Sequence, residues 1–243
     1  MPYLFDKDEI IEALEKKPSS VRRLYIERER AHIAHKLIEL AKTKGIQFKV
    51  LPEVAFRNKV NKKGVHFFLE IEPKTYLEPE VFLDQIKRKK SPLIFAFDGI
   101  YDPQNFGNIL RSAGCFALDG VVLPRDRCCA ITDKVMEISK GGYERVNLVR
   151  VVNLPRYLDN LKSLGLQIFA LHEKGEKSIY EVDLKGPVCL VLGREDGLRN
   201  LTQKKCDLLI RIPTSEKFPS LNLATCFAIS LYEASRQRRS CSV

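Results

Sequence analysis

The sequence predicts an α/β protein whose larger, C-terminal part is built on a mostly parallel β-sheet. From residue 92 onward, short apolar segments with strand character alternate regularly with amphipathic helical segments. The strand segments, such as LIFAF and VCLVLG, are apolar along their whole length, as strands covered on both faces are. With 243 residues and 44% hydrophobic content, the chain has enough apolar side chains to fill such a core.

The first 75 residues predict a separate small α/β unit. Apolar residues recur at helical spacing in two segments, and Gly45 ends the second helix. The predicted elements are a helix at 7–17, a strand at 21–26, a helix at 32–44 and strands at 46–50 and 65–71.

A domain boundary is predicted between residues 72 and 92. The composition changes there to prolines and charges and ends in a basic run at 87–90. We therefore expect a first domain at 1–76, a linker at 77–91 and a second domain at 92–243.

In the second domain, strands and helices follow one another at the spacing of βαβ units. The predicted strands are 93–100, 120–124, 146–151, 166–171, 187–193 and 208–213. The predicted helices are 108–116, 132–140, 154–164 and 222–238.

The charge balance favours a polyanionic partner. The chain carries 41 Lys and Arg against 31 Asp and Glu, a formal net charge of +10. The excess is denser in residues 1–90, where 20 basic residues face 14 acidic ones. A basic surface attracts phosphate polymers, although a solvated basic face gives the same totals.

Several classes of protein are disfavoured. The apolar runs are too short to span a bilayer, and acidic residues occupy the place of a signal-peptide core, so we expect a cytoplasmic protein without a membrane segment. The seven cysteines form no CxxC pair and are expected to be reduced, mostly buried thiols. His32 and His35 lack partners in a ligand pattern, so no metal site is predicted.

Three loops that follow predicted strands carry unusual polar residues. They contain Asn105 and Arg111, then Gly193 and Glu195, and finally Ser220 and Asn222. Each residue has an ordinary structural interpretation as a helix cap or a turn residue. Because ligands bind beyond the carboxyl ends of parallel strands, the convergence of three such loops favours a functional site.

Common nucleotide-binding motifs are missing from the sequence. It contains no GxxxxGK[ST] segment and no GxGxxG after the first strand of the larger domain. Neither P-loop chemistry nor a standard Rossmann cofactor site is therefore supported.

At the three loops, the sequence resembles the SpoU (TrmH-like) group of the SPOUT superfamily, which are RNA ribose 2′-O-methyltransferases. DPQNFGNILR is similar to the first motif of that family, LGREDGL to the second and PSLNLATCFAISLYEASR to the third. The second motif carries Arg194 where several members have Asn. Residues 1–76 more loosely resemble the L30e-like RNA-binding domain that precedes the catalytic domain in several members.

The resemblance implies a fold, a cofactor and an assembly. The fold would be an α/β domain with a C-terminal deep trefoil knot, which residue-level reasoning alone does not anticipate. The cofactor would be S-adenosylmethionine, held near Gly193, Ile212 and Leu221. The protein would be a homodimer through the knotted domain, and RNA rather than DNA would be its partner.

The family's catalytic residues map onto the same loops. The motifs place Asn105, Arg111, Glu195, Ser220 and Asn222 around the reacting ribose. A free guanidinium stays protonated in proteins, so we interpret Arg111 as a ligand of the neighbouring phosphate rather than as the general base.

Several activities stay open at this level. We expect methylation of a guanosine ribose in 23S rRNA, because the N-terminal module is similar to that of ribosomal-RNA enzymes. The alternatives are tRNA 2′-O-methylation, base-nitrogen methylation and an inactive RNA-binding protein of the same fold.

Overall fold

The structure is a computed structural model. It describes residues 3–16, 18–60, 62–72, 76–116, 118–194, 197–215 and 221–239. The chain divides into two compact units, Met1–Lys74 and Thr75–Val243. In the described ranges, no helix is both long and apolar enough to cross a membrane.

The first unit is a four-stranded sheet with the order β1-β4-β2-β3. Strand β2 pairs in parallel with β3 and antiparallel with β4. Its elements are β1 (Tyr3–Leu4), α1 (Lys7–Lys16), β2 (Val21–Glu27), α2 (His35–Thr43), β3 (Phe48–Leu51), α3 (Glu53–Lys59) and β4 (Phe67–Ile71).

The helix α3 is absent from the sequence prediction, which treated residues 57–64 as a polar connection. The helix forms because one of its side chains, Phe56, is fully buried against Phe68, with ring centroids 5.2 Å apart. Phe68 in turn stacks on Tyr25 at 4.8 Å. Phe56 is thus the one buried side chain of this helix, whose other side chains are exposed or half-buried.

The second unit is a seven-stranded sheet with the order β7-β6-β5-β10-β8-β11-β9. Its strands are β5 (Leu93–Phe97), β6 (Gly120–Pro124), β7 (Asn147–Val151), β8 (Gln167–Leu171), β9 (Lys177–Ser178), β10 (Val188–Leu192) and β11 (Leu208–Arg211). Its helices are α4 (Pro79–Lys87), α5 (Pro103–Cys115), α6 (Asp133–Ser139), α7 (Leu154–Ser163), α8 (Asn200–Gln203) and α9 (Leu223–Arg239).

The strand pairs described in this larger sheet are all parallel, which confirms the predicted α/β class with a parallel sheet. The central strands β5 and β10 are buried at every position. Burial on both faces explains why these strands are apolar throughout instead of alternating between apolar and polar residues.

The segment 77–91, expected to be a linker, instead contains α4. Phe82 and Ile86 are 0% and 2% exposed and belong to the core cluster of the larger sheet. Pro79 stands at the start of the helix, where its missing N–H costs nothing. Pro79 and the charged residues within 80–87 are therefore the start and the solvent face of a packed helix, and the basic residues 88–90 follow its end.

The helix α5 begins five residues earlier than predicted. Asp102 caps it by accepting a hydrogen bond from the Gln104 N–H at 2.9 Å, and Pro103 occupies the first turn. Asn105 consequently lies inside the first turn of the helix and is only 4% exposed.

The cysteines with described positions are free thiols, as predicted. Burial raises the pKa of Cys128 and Cys206 to about 12, so these thiols are unreactive near neutral pH. The expectation that most of them are buried is met only by Cys189. Cys128, Cys129, Cys206 and Cys226 are half-buried, and Cys115, the last residue of α5, is exposed.

Candidate active site

A cavity of about 580 Å³ opens at the carboxyl ends of β8, β10 and β11. The residues that directly follow these strands form its wall: His172 after β8, Gly193 and Arg194 after β10, and Ile212 after β11. This is the edge at which doubly wound sheets bind ligands, and the volume is typical of small-molecule sites.

The three residues predicted to bind a cofactor all line this one cavity. Gly193 and Ile212 follow strands β10 and β11, and Leu221 lies just before α9. Gly193 and Leu221 are 28 residues apart in the sequence. They line the same cavity because β11 pairs with β8, which is itself paired with β10.

Gly193 starts a tight turn that closes one side of the cavity. The backbones of Arg194 and Gly197 exchange two hydrogen bonds of 3.0 Å, and Gly197 adopts a φ of +100°. A Cβ atom on Gly193 would come within 2.7 Å of the carbonyl carbon of Gly197 and the nitrogen of Leu198. Only glycine fits this close approach of backbone to backbone.

Asn105 and Asn222 are brought into direct contact although 117 residues separate them in sequence. The Asn222 Nδ2 group donates a hydrogen bond of 2.9 Å to Asn105 Oδ1. The contact joins the first turn of α5 to the start of α9, and Asn222 also lines the cavity. The first and third polar loops predicted from the sequence therefore converge.

Asn222 is at the same time the cap of α9. Its Oδ1 atom accepts hydrogen bonds from the N–H groups of Ala224 at 2.8 Å and Thr225 at 3.4 Å. Because the cap fixes the oxygen, the amide nitrogen must face Asn105. The oxygen of the Asn222 amide thus caps α9, and its nitrogen makes the contact with Asn105.

The remaining predicted residues have different placements. Arg111 lies on α5 with an exposed side chain that does not line the cavity. In the described ranges, that side chain makes no hydrogen bond or ion pair. Glu195 and Ser220 lie outside the described residues.

Sequence reasoning missed Asp98, a fully buried carboxylate beside the cavity. Its Oδ2 accepts the backbone N–H of Arg199 at 2.8 Å, and its Oδ1 accepts the Arg199 Nε–H at 2.7 Å. The hydroxyl of Thr202 donates to the same Oδ1 at 2.9 Å. Hydrogen bonding to Asp98 raises the pKa of Arg199, so the guanidinium keeps its positive charge.

The Asp98 cluster holds the far end of the cavity turn. Asp98 follows β5 directly, and its N–H donates to the carbonyl of Leu192, the last residue of β10. Arg199 follows Leu198, which lines the cavity. The sequence carried a signal for this residue, because Asp98 is a lone carboxylate that directly follows a five-residue apolar strand. A carboxylate buried at such a position must have a partner.

Comparison with known proteins identifies several similar chains. Residues 92–232 match the SpoU rRNA Methylase family. A 23S rRNA (guanosine-2′-O-)-methyltransferase RlmB of Coxiella burnetii is 34% identical over 228 residues, which cover 93% of this chain and 91% of that protein. An RlmB of Xanthomonas axonopodis is 42% identical over 147 residues, which cover 60% of this chain and 59% of that protein.

Solved structures share the fold. The SpoU methyltransferase AviRb of Streptomyces viridochromogenes, in complex with AdoMet, superposes with a TM-score of 0.80 at 24% identity, over 98% of this chain and 90% of that one. The TrmH/SpoU tRNA modifying enzyme of A. aeolicus has a TM-score of 0.57 at 27% identity, over 68% of this chain and 86% of that one.

We predict that Asp98→Asn lowers the free energy of unfolding by about 3 kcal/mol, because it leaves the Arg199 guanidinium without its charged partner. Urea denaturation monitored by circular dichroism measures the change. Asp126→Asn, an exposed aspartate in the loop after β6, is the matched control and should stay within about 0.5 kcal/mol of the wild type. Equal stability of the two variants would contradict a structural role for the Asp98 cluster.

Proposed function

This chain belongs to the SpoU rRNA methylase family, and we propose that it transfers a methyl group from S-adenosylmethionine to the ribose 2′-hydroxyl of a guanosine in 23S rRNA. One observation carries the proposal: a single cavity is lined by Gly193, Ile212, Leu221 and Asn222, and Asn222 bonds to Asn105. The relative from Coxiella burnetii, aligned over nearly the full length of both chains, supports the choice of rRNA over tRNA. With that substrate, the reaction takes place in the cytoplasm.

The cavity suits S-adenosylmethionine in size and in chemistry. Leucine and isoleucine side chains offer apolar surface to an adenine ring, and the backbone of the Gly193 turn offers polar groups. Glu173, at the rim, brings a negative charge toward a cationic ligand. When bound, the cofactor supplies an electrophilic methyl group on a sulfonium.

The residues of this chain contribute mainly by positioning. The Asn105–Asn222 pair fixes two side-chain amides next to the cavity, one in the first turn of α5 and one at the cap of α9. Amides held in this way can orient a ribose hydroxyl by hydrogen bonding without rearranging during the reaction. Glu195 and Ser220, which the motifs place around the ribose, are assigned to orienting the arginine and the ribose.

Arg111 acts on the RNA backbone in this proposal. Its exposed guanidinium suits a phosphate, to which it can donate two parallel hydrogen bonds. A cation held there stabilises the negative charge that develops on the 2′-oxygen. It does not take the proton, because a guanidinium is already protonated.

We further propose that the first unit binds RNA as an L30e-like domain and that the second unit contains a trefoil knot and dimerises. Family membership supports the knot, which an experimental structure of this chain would test. The outer face of α9 supports dimerisation, because Tyr232 is 60% exposed there and Ile229 is 37% exposed. Sedimentation equilibrium tests this point, since a species of 27.8 kDa would contradict it.

Incubation of the purified chain with S-adenosylmethionine and unmodified 23S rRNA should yield one 2′-O-methylguanosine. Nucleoside mass spectrometry identifies the product, and RNase mapping locates it. Unmodified tRNA is the matched control and should stay unmethylated. A methylated base, a methylated tRNA or no product with either RNA would overturn the proposed function.

Replacing Arg111 by Lys should lower kcat about 100-fold and leave the dissociation constant of the RNA within about threefold, because lysine keeps the charge but loses the planar fork. Single-turnover methylation and RNA binding measured in parallel give the two numbers. Turnover close to that of the wild type would exclude the bidentate phosphate contact.

Replacing Asn222 by Asp separates the two roles of this residue. Aspartate still caps α9, so thermal stability should change by no more than about 1 kcal/mol, whereas the hydrogen bond donated to Asn105 is lost. We expect kcat to fall at least tenfold. Asn222→Ala, which removes both contacts, serves as the comparison. Full activity in the Asp variant would mean that Asn222 acts only as the helix cap.

A further inference from the structure

Tyr101 and Arg194 form a pair at the mouth of the cavity that none of the roles above uses. Tyr101 lies in the loop between β5 and α5, four residues before Asn105, and its side chain is 58% exposed. Arg194 follows Gly193 and lines the cavity. The Arg194 Nη1 group donates to the Tyr101 hydroxyl at 3.3 Å, and its guanidinium carbon lies 6.0 Å from the ring centroid.

The arginine side chain is held in this position by the backbone beneath it. A Cβ atom on Gly99 would come within 3.0 Å of the Arg194 Cδ and 3.1 Å of its Cγ. The stem of Arg194 therefore lies directly across Gly99, in space that any other residue would fill. This packing directs the guanidinium from the cavity wall toward Tyr101 and limits the conformational entropy that binding would cost.

Basic residues lie beside the pair. The loop after β6 runs alongside, because the Arg127 carbonyl accepts the N–H of Ile100 at 2.9 Å. That loop exposes Arg125 and Arg127, with Asp126 between them. The loop therefore contributes two positive charges and one negative charge beside the pair.

We propose that Tyr101 and Arg194 bind a nucleotide of single-stranded RNA that flanks the methylated one. The base stacks on the exposed face of Tyr101, and the guanidinium of Arg194 binds the adjoining phosphate. An aromatic face beside an arginine is the combination that single-stranded nucleic acids favour, since every base has a face that stacks and every linkage carries a negative charge. The inference rests on the proposed function, because it assigns the site to the substrate of that reaction.

The position of the pair supports a flanking nucleotide over the target. Asn105 and Asn222 already meet at the start of α5, four residues after Tyr101, where the target ribose is proposed to lie. Tyr101 and Arg194 lie on the two segments that bound this site, after β5 and after β10.

Binding of a fluorescein-labelled, single-stranded 20-mer RNA, followed by fluorescence anisotropy over a range of salt concentrations, tests the proposal without requiring methyl transfer. Tyr101→Leu should raise the dissociation constant about tenfold and leave its salt dependence unchanged, whereas Tyr101→Phe should bind like the wild type. Arg194→Gln should reduce the slope of log affinity against log salt by about 0.7, and Arg194→Lys should retain the slope.

Matched controls keep the test specific. Tyr180 is 62% exposed elsewhere on the second unit, and Tyr180→Leu should bind the RNA like the wild type. Calorimetry should give wild-type affinity for S-adenosylmethionine in Tyr101→Leu. Unchanged RNA affinity in Tyr101→Leu, or an equal loss in Tyr180→Leu, would overturn the proposal. If the wild type binds the RNA but methylates none, the proposed function fails while this site stands.

Discussion

The pairing of β10 with β5 on one side and β8 on the other is the constraint on which the site depends. The register aligns Leu192 with Phe97 and with Leu171, so the three strands end at the same level. Asp98, Gly193 and His172 are consequently neighbours at one edge of the sheet. Backbone hydrogen bonds between buried, apolar strands hold this edge rigidly, and the loops above it inherit their positions from the strands.

Two polar anchors extend this order into α9, the helix that closes the cavity. Asn222 holds its first turn through the cap and through Asn105. At the other end, the Arg238 guanidinium donates to the carbonyls of Leu184, Ser91, Pro92 and Gly186. Burial lowers the pKa of Arg238, and the four acceptors offset that desolvation. With both ends fixed, Asn222 keeps its position relative to the cavity.

Much of the secondary structure could be predicted because the dominant signals are local. Apolar runs identified β5, β6 and β10, and helical spacing identified α1 and α7 to within a residue or two. The elements that escaped prediction depend on distant partners. Helix α4 is ordered by Phe82 and Ile86 in a core built from later strands, and α3 by Phe56 against β4. From their composition alone, these two segments were predicted to be connecting loops.

The fold class, the family and the loops that carry polar residues could be read from the residues alone, because apolar runs and motif spacing are properties of short segments. Which side chains meet depends on how the whole chain folds. The Asn105–Asn222 hydrogen bond, the burial of Asp98 against Arg199 and the Tyr101–Arg194 pair each join residues more than 90 positions apart. Such contacts follow from strand order and register, which are set by packing of the whole sheet and not by any single segment.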